Sequence, residues 1–301
     1  MIAAAYLTLY RSGELQARAA TARQRMKSCV LCANRCKVDR RVSPEGARCR
    51  TGANAVVSSV GPHHGEERPI SGRRGSGTIF FGWCNLHCVF CQNFQISQRG
   101  EGREMSDATL AAQMLALQAA GCHNINFVSP SHVIPQILGA LTIAAGQGLT
   151  LPLVYNSGGY DSREGLELMQ GVIDIYMPDM KFADSEVARP FLGVSDYAEV
   201  NRGAVREMHR QVSDLVLGET GLAQRGLLIR HLVLPDNLAG TDAILTFIAS
   251  KISRATYLNL MNQYRPCSHA SAYPALGRRP THAELRQAWA LARQLGLHRL
   301  D

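Results

Sequence analysis

From residue 78 onward, short apolar runs alternate with longer amphipathic stretches. The runs at 78–83, 124–129, 151–156, 172–178, 226–233 and 255–262 read as β-strands, several rich in Val, Ile, Phe and Tyr. Between them the spacing predicts helices. Ser106 is placed to cap one over 107–120, Ser131 opens another over 132–146, and a third follows at 162–170. A long charged stretch covers 197–217, with further helices near 240–251 and 281–295. Strand and helix in regular alternation argue for parallel βα units, and six such strands make an incomplete barrel.

The first 75 residues are different. A helix is expected over 14–27, but 28–77 is rich in Gly, Arg and Cys without sustained periodicity. The pattern predicts a loop-rich lobe (1–75) ahead of a barrel (76–301), the lobe being held by something other than a large apolar core. The apolar opening Ile2–Tyr10 stops at Arg11, too short for a membrane span or a secretory h-region, so a cytoplasmic protein is expected.

Composition refines this reading. With 301 residues, 46% of them hydrophobic, the chain can bury one large core, in one or two domains. Of the net charge of +8, residues 1–75 supply +9, from 14 Lys and Arg against 5 Asp and Glu; the remainder, with 18 against 19, is −1. A basic lobe suits nucleic acid or an acidic partner, but a solvated helix face explains it as well. No aromatic residues are interleaved to stack on bases, which favours the solvated face.

Chemistry concentrates in the loop after the first strand, where Cys84, Cys88 and Cys91 are spaced C-x3-C-x2-C. Three thiolates on one loop can hold three corners of a cubane [4Fe-4S] cluster and leave the fourth iron open to a small molecule. Zinc with a remote fourth ligand is the competing reading, since His87 lies inside the motif, but structural zinc knuckles mostly use C-x2-C pairs. A disulfide is disfavoured by the odd count of nine cysteines. A second set, Cys29, Cys32, Cys36 and Cys49, reads as a metal site holding zinc or a further iron-sulfur cluster. Cys122 and Cys267 are left over as buried or idle thiols.

In a barrel of this kind the working residues gather at the C-terminal ends of the strands. The second strand ends in Ser129-Pro130-Ser131-His132, the third in Asn156-Ser157-Gly158-Gly159, and the fourth in Asp179-Met180-Lys181. Glycines after the third strand suit close backbone approach to a ligand. On the fifth strand Arg230 and His231 alternate in facing, so at most one points inward, and an isolated His in an apolar run reads as structural. Gln263 and Tyr264 end the sixth and are candidates to read a substrate.

The cluster loop, with aromatic Phe90 before its last Cys, resembles the signature of the radical S-adenosylmethionine (radical SAM) superfamily. Together with the four-cysteine lobe and the Asn262-Gln263-Tyr264-Arg265-Pro266 ending, it looks like the group related to pyruvate formate-lyase activating enzyme. The resemblance implies a partial (βα)6 TIM-like barrel and an oxidoreductase. Cys84, Cys88 and Cys91 would hold a [4Fe-4S] cluster that cleaves SAM to a 5′-deoxyadenosyl radical for hydrogen abstraction.

It also implies SAM contacts. Ser129 and Ser131 stand where many members carry a Gly-Gly-Glu type segment for the SAM amino group. Asn156 and Ser157 face the ribose, and Asp179 and Lys181 face the amino acid moiety. A reductant such as flavodoxin or ferredoxin is implied, as is a protein substrate carrying a glycyl residue; an RNA or small-molecule substrate is the alternative. A reading from another class is a non-catalytic zinc or iron-sulfur protein that binds nucleic acid, which predicts no SAM turnover and salt-dependent binding. A plain electron carrier is disfavoured because no fourth cysteine stands beside residue 91.

Overall fold

A computed structural model describes residues 3–301, so Ile2 of the apolar opening lies outside the described residues. Nine strands share one sheet. They are β1 (Ala55–His63), β2 (Ser76–Phe81), β3 (Arg103–Met105), β4 (Ile125–Val128), β5 (Leu153–Ser157), β6 (Ile175–Pro178), β7 (Val216–Leu217), β8 (Ala223–Leu232) and β9 (Tyr257–Met261). The strands expected from the alternation are β2, β4, β5, β6, β8 and β9, and each pairs parallel with the next. This is the partial barrel. Three antiparallel strands were not foreseen: β1 along β2, β3 along β1, and β7 along β8.

Among the described residues eleven α-helices accompany the strands. The first six are α1 (Tyr6–Arg11), α2 (Glu14–Arg25), α3 (Arg68–Ser71), α4 (Phe94–Arg99), α5 (Asp107–Ala119) and α6 (Ile134–Gly146). The others are α7 (Arg163–Met169), α8 (Ser185–Leu192), α9 (Tyr197–Val212), α10 (Thr241–Phe247) and α11 (His282–Gln294). Caps explain several starts. Ser106 accepts the Thr109 amide, Ser162 accepts that of Gly165, and Thr281 with Glu284 forms a capping box. Ser131 does not open α6; it lies inside a 3-10 turn over Pro130–His132, and the helix starts after Val133. The stretch 197–217 is divided between α9 and β7. No described helix is long and apolar enough to cross a membrane.

The lobe expected over 1–75 is joined to the barrel. Tyr6, Leu15, Ala22, Met26, Ala55 and Val57 belong to the same buried cluster as the barrel residues Ile79, Phe127 and Tyr155. Asp174, just ahead of β6, accepts the amides of Ala5 (2.8 Å) and Leu153 (2.9 Å), tying the N-terminal segment to the bottom of the sheet. The cysteine-bearing stretch between the 3-10 turn at Met26–Ser28 and β1 is irregular.

Six parallel strands leave the barrel open between its first and last members, and the chain closes that seam with residues 64–72. Ile70 is fully buried among Val154, Ile175, Met177 and Leu228, inside the barrel. Its carbonyl accepts from Asn124 Nδ2 (2.8 Å), while Glu67 Oε1 accepts from Asn259 Nδ2 on β9 (2.7 Å). Because Ile70 fills the lumen, Ile70→Ala is expected to cost about 2–5 kcal/mol. Val42→Ala, at a position 84% exposed, should stay within about 0.5 kcal/mol of wild type. Urea denaturation of both variants checks this.

Candidate active site

Register sets which side chains share the barrel mouth. Phe80, Val128, Asn156, Met177, Leu228 and Tyr257 align across the strands as one row, and Asp179, Arg230 and Asn259 form the next row toward the C-terminal ends. Above them opens a cavity of about 390 Å³. Its lining includes Cys84, Cys88, Cys91, Ser129, Asn156, Ser157, Asp179 and Lys181, which the sequence placed there, together with Gln263. Of the named residues, Ser131 stands apart: it is 1% exposed and lies beside Asp161 rather than on the cavity wall. Tyr264 is also buried away from it, donating its hydroxyl proton to Leu276 O (2.8 Å).

The cluster loop is held from several sides. Trp83 enters it with φ +63°, a conformation costly for a bulky residue, and its amide is fixed by Ile96 O (2.9 Å). The Trp83 ring lies on Gly100, where any Cβ would come within 2.2 Å of it, so that position requires glycine. Leu86 N–H donates to Cys84 Sγ (3.4 Å), and Cys91 Sγ shares a hydrogen bond with Ser97 Oγ (3.1 Å). Burial pushes the Cys84 thiol up to about 11, with the Cys91 thiolate adding to the shift. Cys88 is driven higher by burial and by both neighbouring cysteines, although Lys181 opposes this. All three are free thiols.

Opposite the thiols, Lys181 Nζ pairs with Asp179 Oδ2. Burial alone would lower the Lys181 ammonium, but the Asp179 carboxylate, with Cys88 and Tyr197, lifts it above the usual lysine range. Helix α9 fixes this pair. Tyr197 OH donates to Gly158 O (3.0 Å) and accepts the Lys181 amide (3.0 Å), and Asn201 Nδ2 donates to Asp179 O (2.9 Å). Gly159, at φ +72°, leaves room for Asn201, whose amide nitrogen a Cβ would meet at 2.1 Å. Ser157 lines the cavity but donates its hydroxyl to Asp161 Oδ2 (2.7 Å), which also receives the Tyr155 hydroxyl at Oδ1 (2.8 Å).

Arg230 is the inward member of its pair. Its Nη1 reaches Asn156 Oδ1 (3.4 Å), and its Nε lies 2.8 Å from Glu67 Oε1, a charge contact without hydrogen-bond alignment. Glu66 Oε2 is 3.6 Å away. His231 faces outward into packing: Nδ1–H donates to Met180 O (2.7 Å), Nε2 accepts from Thr241 (2.9 Å), and burial lowers the ring to about 4. Sequence reasoning missed Glu66, Glu67 and His63. The adjacent acids in Gly65-Glu66-Glu67-Arg68, within an otherwise basic lobe, were the available signal.

The four N-terminal cysteines lie in loops beside this site. Asn34 Nδ2 donates to Asn85 O (2.7 Å), and the Arg50 guanidinium stacks 5.2 Å from the Trp83 ring centre, so the two cysteine loops touch twice. Cys32 is pushed up to about 12 by burial and then by Cys49 and Cys29, and Cys49 feels Cys29 and Cys36. Arg40, 1% exposed, sits among them: Nη1 donates to Cys29 Sγ (3.4 Å), Nε to Thr51 O (2.6 Å) and Nη2 to His132 O (2.7 Å).

Among the described residues no three Cys, His, Asp or Glu stand as the ligands of one bound ion. A cubane does not ask for that, because its thiolates bind different irons. Three free thiols around one cavity, that of Cys88 buried and those of Cys84 and Cys91 half-buried, faced by a fixed lysine and carboxylate, suit a [4Fe-4S] cluster with an amino acid group bound beside it.

A barrel mouth lined by three thiols suits an iron-sulfur type of site. The Radical SAM superfamily model matches residues 78–217. An uncharacterized protein of Methanocaldococcus jannaschii is 32% identical over 278 residues, 90% of this chain and 76% of that protein. The chain belongs to the radical SAM superfamily. Among solved structures, a radical SAM methyltransferase from Sphaerobacter thermophilus aligns at TM-score 0.47 with 13% identity. The alignment covers 74% of this chain and 65% of that one, so this chain spans just under two thirds of it. TYW1 with a lysine-pyruvate adduct bound aligns at 0.44 with 14% identity, over 72% of each chain. Likeness at this level bears on neither activity nor substrate.

The Arg230–Glu67 pair should be costly to break. Glu67→Gln leaves a guanidinium only 17% exposed without its nearest carboxylate, an expected loss of about 3–5 kcal/mol. Breaking the exposed Arg189–Glu186 pair with Glu186→Gln should cost less than about 1 kcal/mol. Denaturant midpoints of the two variants provide the comparison.

Proposed function

We propose that this chain cleaves S-adenosylmethionine reductively and directs the resulting radical to abstract hydrogen from a substrate. The observation that carries this reading is the meeting of Cys84, Cys88, Cys91, Asp179 and Lys181 around one cavity at the C-terminal ends of the strands. Cys84, Cys88 and Cys91 would ligate a [4Fe-4S] cluster. When bound, that cluster supplies one electron to the sulfonium of SAM, giving methionine and a 5′-deoxyadenosyl radical.

The remaining roles belong to the chain's own residues. Lys181 pairs with the SAM carboxylate and Asp179 accepts from its ammonium, both presented by the hydrogen bonds of Tyr197 and Asn201. Ser129 stands beside Cys84 on the amino group's side. Asn156, held toward Arg230, faces the ribose; Ser157 offers chiefly its backbone, since its hydroxyl is taken by Asp161. Phe80, Leu86, Phe90 and Leu232 wall the cavity and exclude water from reactive species.

Cys29, Cys32, Cys36 and Cys49 form the second metal site of this reading. Its support is Arg40, whose guanidinium is set among the thiols of Cys49, Cys29 and Cys32. A buried guanidinium needs negative charge nearby, and metal-bound thiolates supply it. Zinc and a second cluster both satisfy that condition. The resemblance to pyruvate formate-lyase activating enzyme extends the reading to a glycyl residue of a partner enzyme as hydrogen donor and to flavodoxin or ferredoxin as reductant. Superfamily membership favours an enzyme over a nucleic-acid-binding zinc protein.

Anaerobic reconstitution followed by dithionite and SAM should yield 5′-deoxyadenosine. Cys88→Ala should lower that yield by at least about a hundredfold, a loss near 2.7 kcal/mol, with circular dichroism unchanged. Iron near four per chain marks zinc in the N-terminal site, and iron near eight marks a second cluster. A protein that binds iron but forms no 5′-deoxyadenosine contradicts the reading.

A further inference from the structure

The cavity wall holds one buried carboxylate with an oxygen that accepts no hydrogen bond. Asp179 has Lys181, and Arg230 is taken up by Glu67, which lies 2.8 Å away with a fully buried side chain. Glu66 shares the same guanidinium only at 3.6 Å. Its side chain is 5% exposed, its Oε1 meets His63 Nδ1 at 3.1 Å, and its Oε2 has no hydrogen-bond partner. Two carboxylates thus share one arginine, and Glu66 lines the cavity.

Bound cofactors would not remove the surplus. Three thiolates on an oxidised [4Fe-4S] core leave a single negative charge, which the single positive charge of SAM offsets. The SAM ammonium is matched by Asp179 in the function proposed above, on which this inference rests. Burial pushes the Glu66 carboxyl above its usual range; Arg230 and His63 pull it down and Glu67 pushes it up. A buried carboxylate in this state is stabilised most by a hydrogen-bonded cation entering the cavity. The approach to it is apolar, with Phe80, Leu232 and Met261 on the wall, and His63 is braced edge-on against Phe80 with ring centres 5.9 Å apart.

We propose that the hydrogen donor carries a protonated nitrogen on an apolar stem, and that Glu66 Oε2 accepts its N–H while Phe80, Leu232 and Met261 pack the stem. Glu66 is then the specificity-determining residue. Glu67, Arg230 and Asn259 are positioning residues that hold the segment bearing it against β8 and β9.

The test uses isothermal titration of the anaerobically reconstituted, SAM-loaded protein without reductant. Hexylamine, hexanol and hexanoate serve as isosteric probes, and N-acetyl-lysine amide stands for the same group on a protein. Hexylamine should bind at least about tenfold more tightly than hexanol or hexanoate, a difference of about 1.4 kcal/mol. Glu66→Gln, which keeps the shape and removes the charge, should erase that preference. Binding of hexylamine alone identifies a free amine as the source, and binding of the lysine derivative as well identifies a lysyl side chain. The proposal is overturned if hexylamine shows no preference over hexanol and hexanoate, if no amine binds, or if Glu66→Gln binds hexylamine as wild type does. The wild-type probe series decides the matter without any variant, should Glu66→Gln fold poorly. In the same preparation, wild type that forms no 5′-deoxyadenosine removes the proposed function itself, whereas SAM cleavage without amine preference removes this inference alone.

Discussion

The mostly buried guanidinium of Arg230 joins barrel closure to the chemistry of the mouth. Arg230 projects from β8 among polar residues of three other segments: Asn156 on β5, Asp179 after β6, and Glu66 and Glu67 ahead of α3. A charge that is mostly out of water must keep its partners, so the segment carrying those glutamates is drawn across the open seam of the six parallel strands. Ile70 follows from that placement. Once Glu67 is tied to Arg230 and Asn259, the next turn drops Ile70 into the lumen, where burial adds to the same closure.

The two halves of the cavity are built on opposite electrostatics. On one side the Cys84 and Cys88 thiols resist ionisation, and a metal centre would make their thiolate form favourable. On the other, Asp179–Lys181 and Arg230–Glu67 are ion pairs already in place before any ligand arrives. Preformed pairs of this kind suit the zwitterionic ligand of the proposed function, since they need no reorganisation at the moment of reaction. Arg40 repeats the combination of guanidinium and thiols below the N-terminal loops, and Asn34 and Arg50 bring those loops against the cluster loop.

What could be read from the chain follows from which signals are local. Parallel strands buried on both faces leave continuous apolar runs, and all six were visible. The thiol loop and the residues at Asn156 and Asp179–Lys181 follow from strand ends plus motif, and the structure gathers them. Strand β1 was hidden because Ser58, Ser59, Gly61 and Pro62 break its alternation; its register also shifts between Val57 and Ser59. Ser131 was placed at the barrel mouth by the family resemblance, but the 3-10 turn that contains it carries it behind the wall to Asp161. Helix α8 contains Pro190, which argues against a helix from sequence, and is held by the Asp184 cap. Arg230 was visible as an inward candidate, yet its glutamate partners lie more than 160 residues earlier. No local pattern announces a contact of that range.

The central claim is that the thiols of Cys84, Cys88 and Cys91 hold a cluster whose remaining iron binds S-adenosylmethionine. Electron paramagnetic resonance of the reduced, reconstituted protein, recorded with and without SAM, tests it most directly. The account predicts the signal of a reduced [4Fe-4S] cluster that changes its g-values when SAM is added, in wild type and in a variant lacking the four N-terminal cysteines. A spectrum indifferent to SAM, or a SAM-responsive signal that survives replacement of Cys84, Cys88 and Cys91, would contradict it.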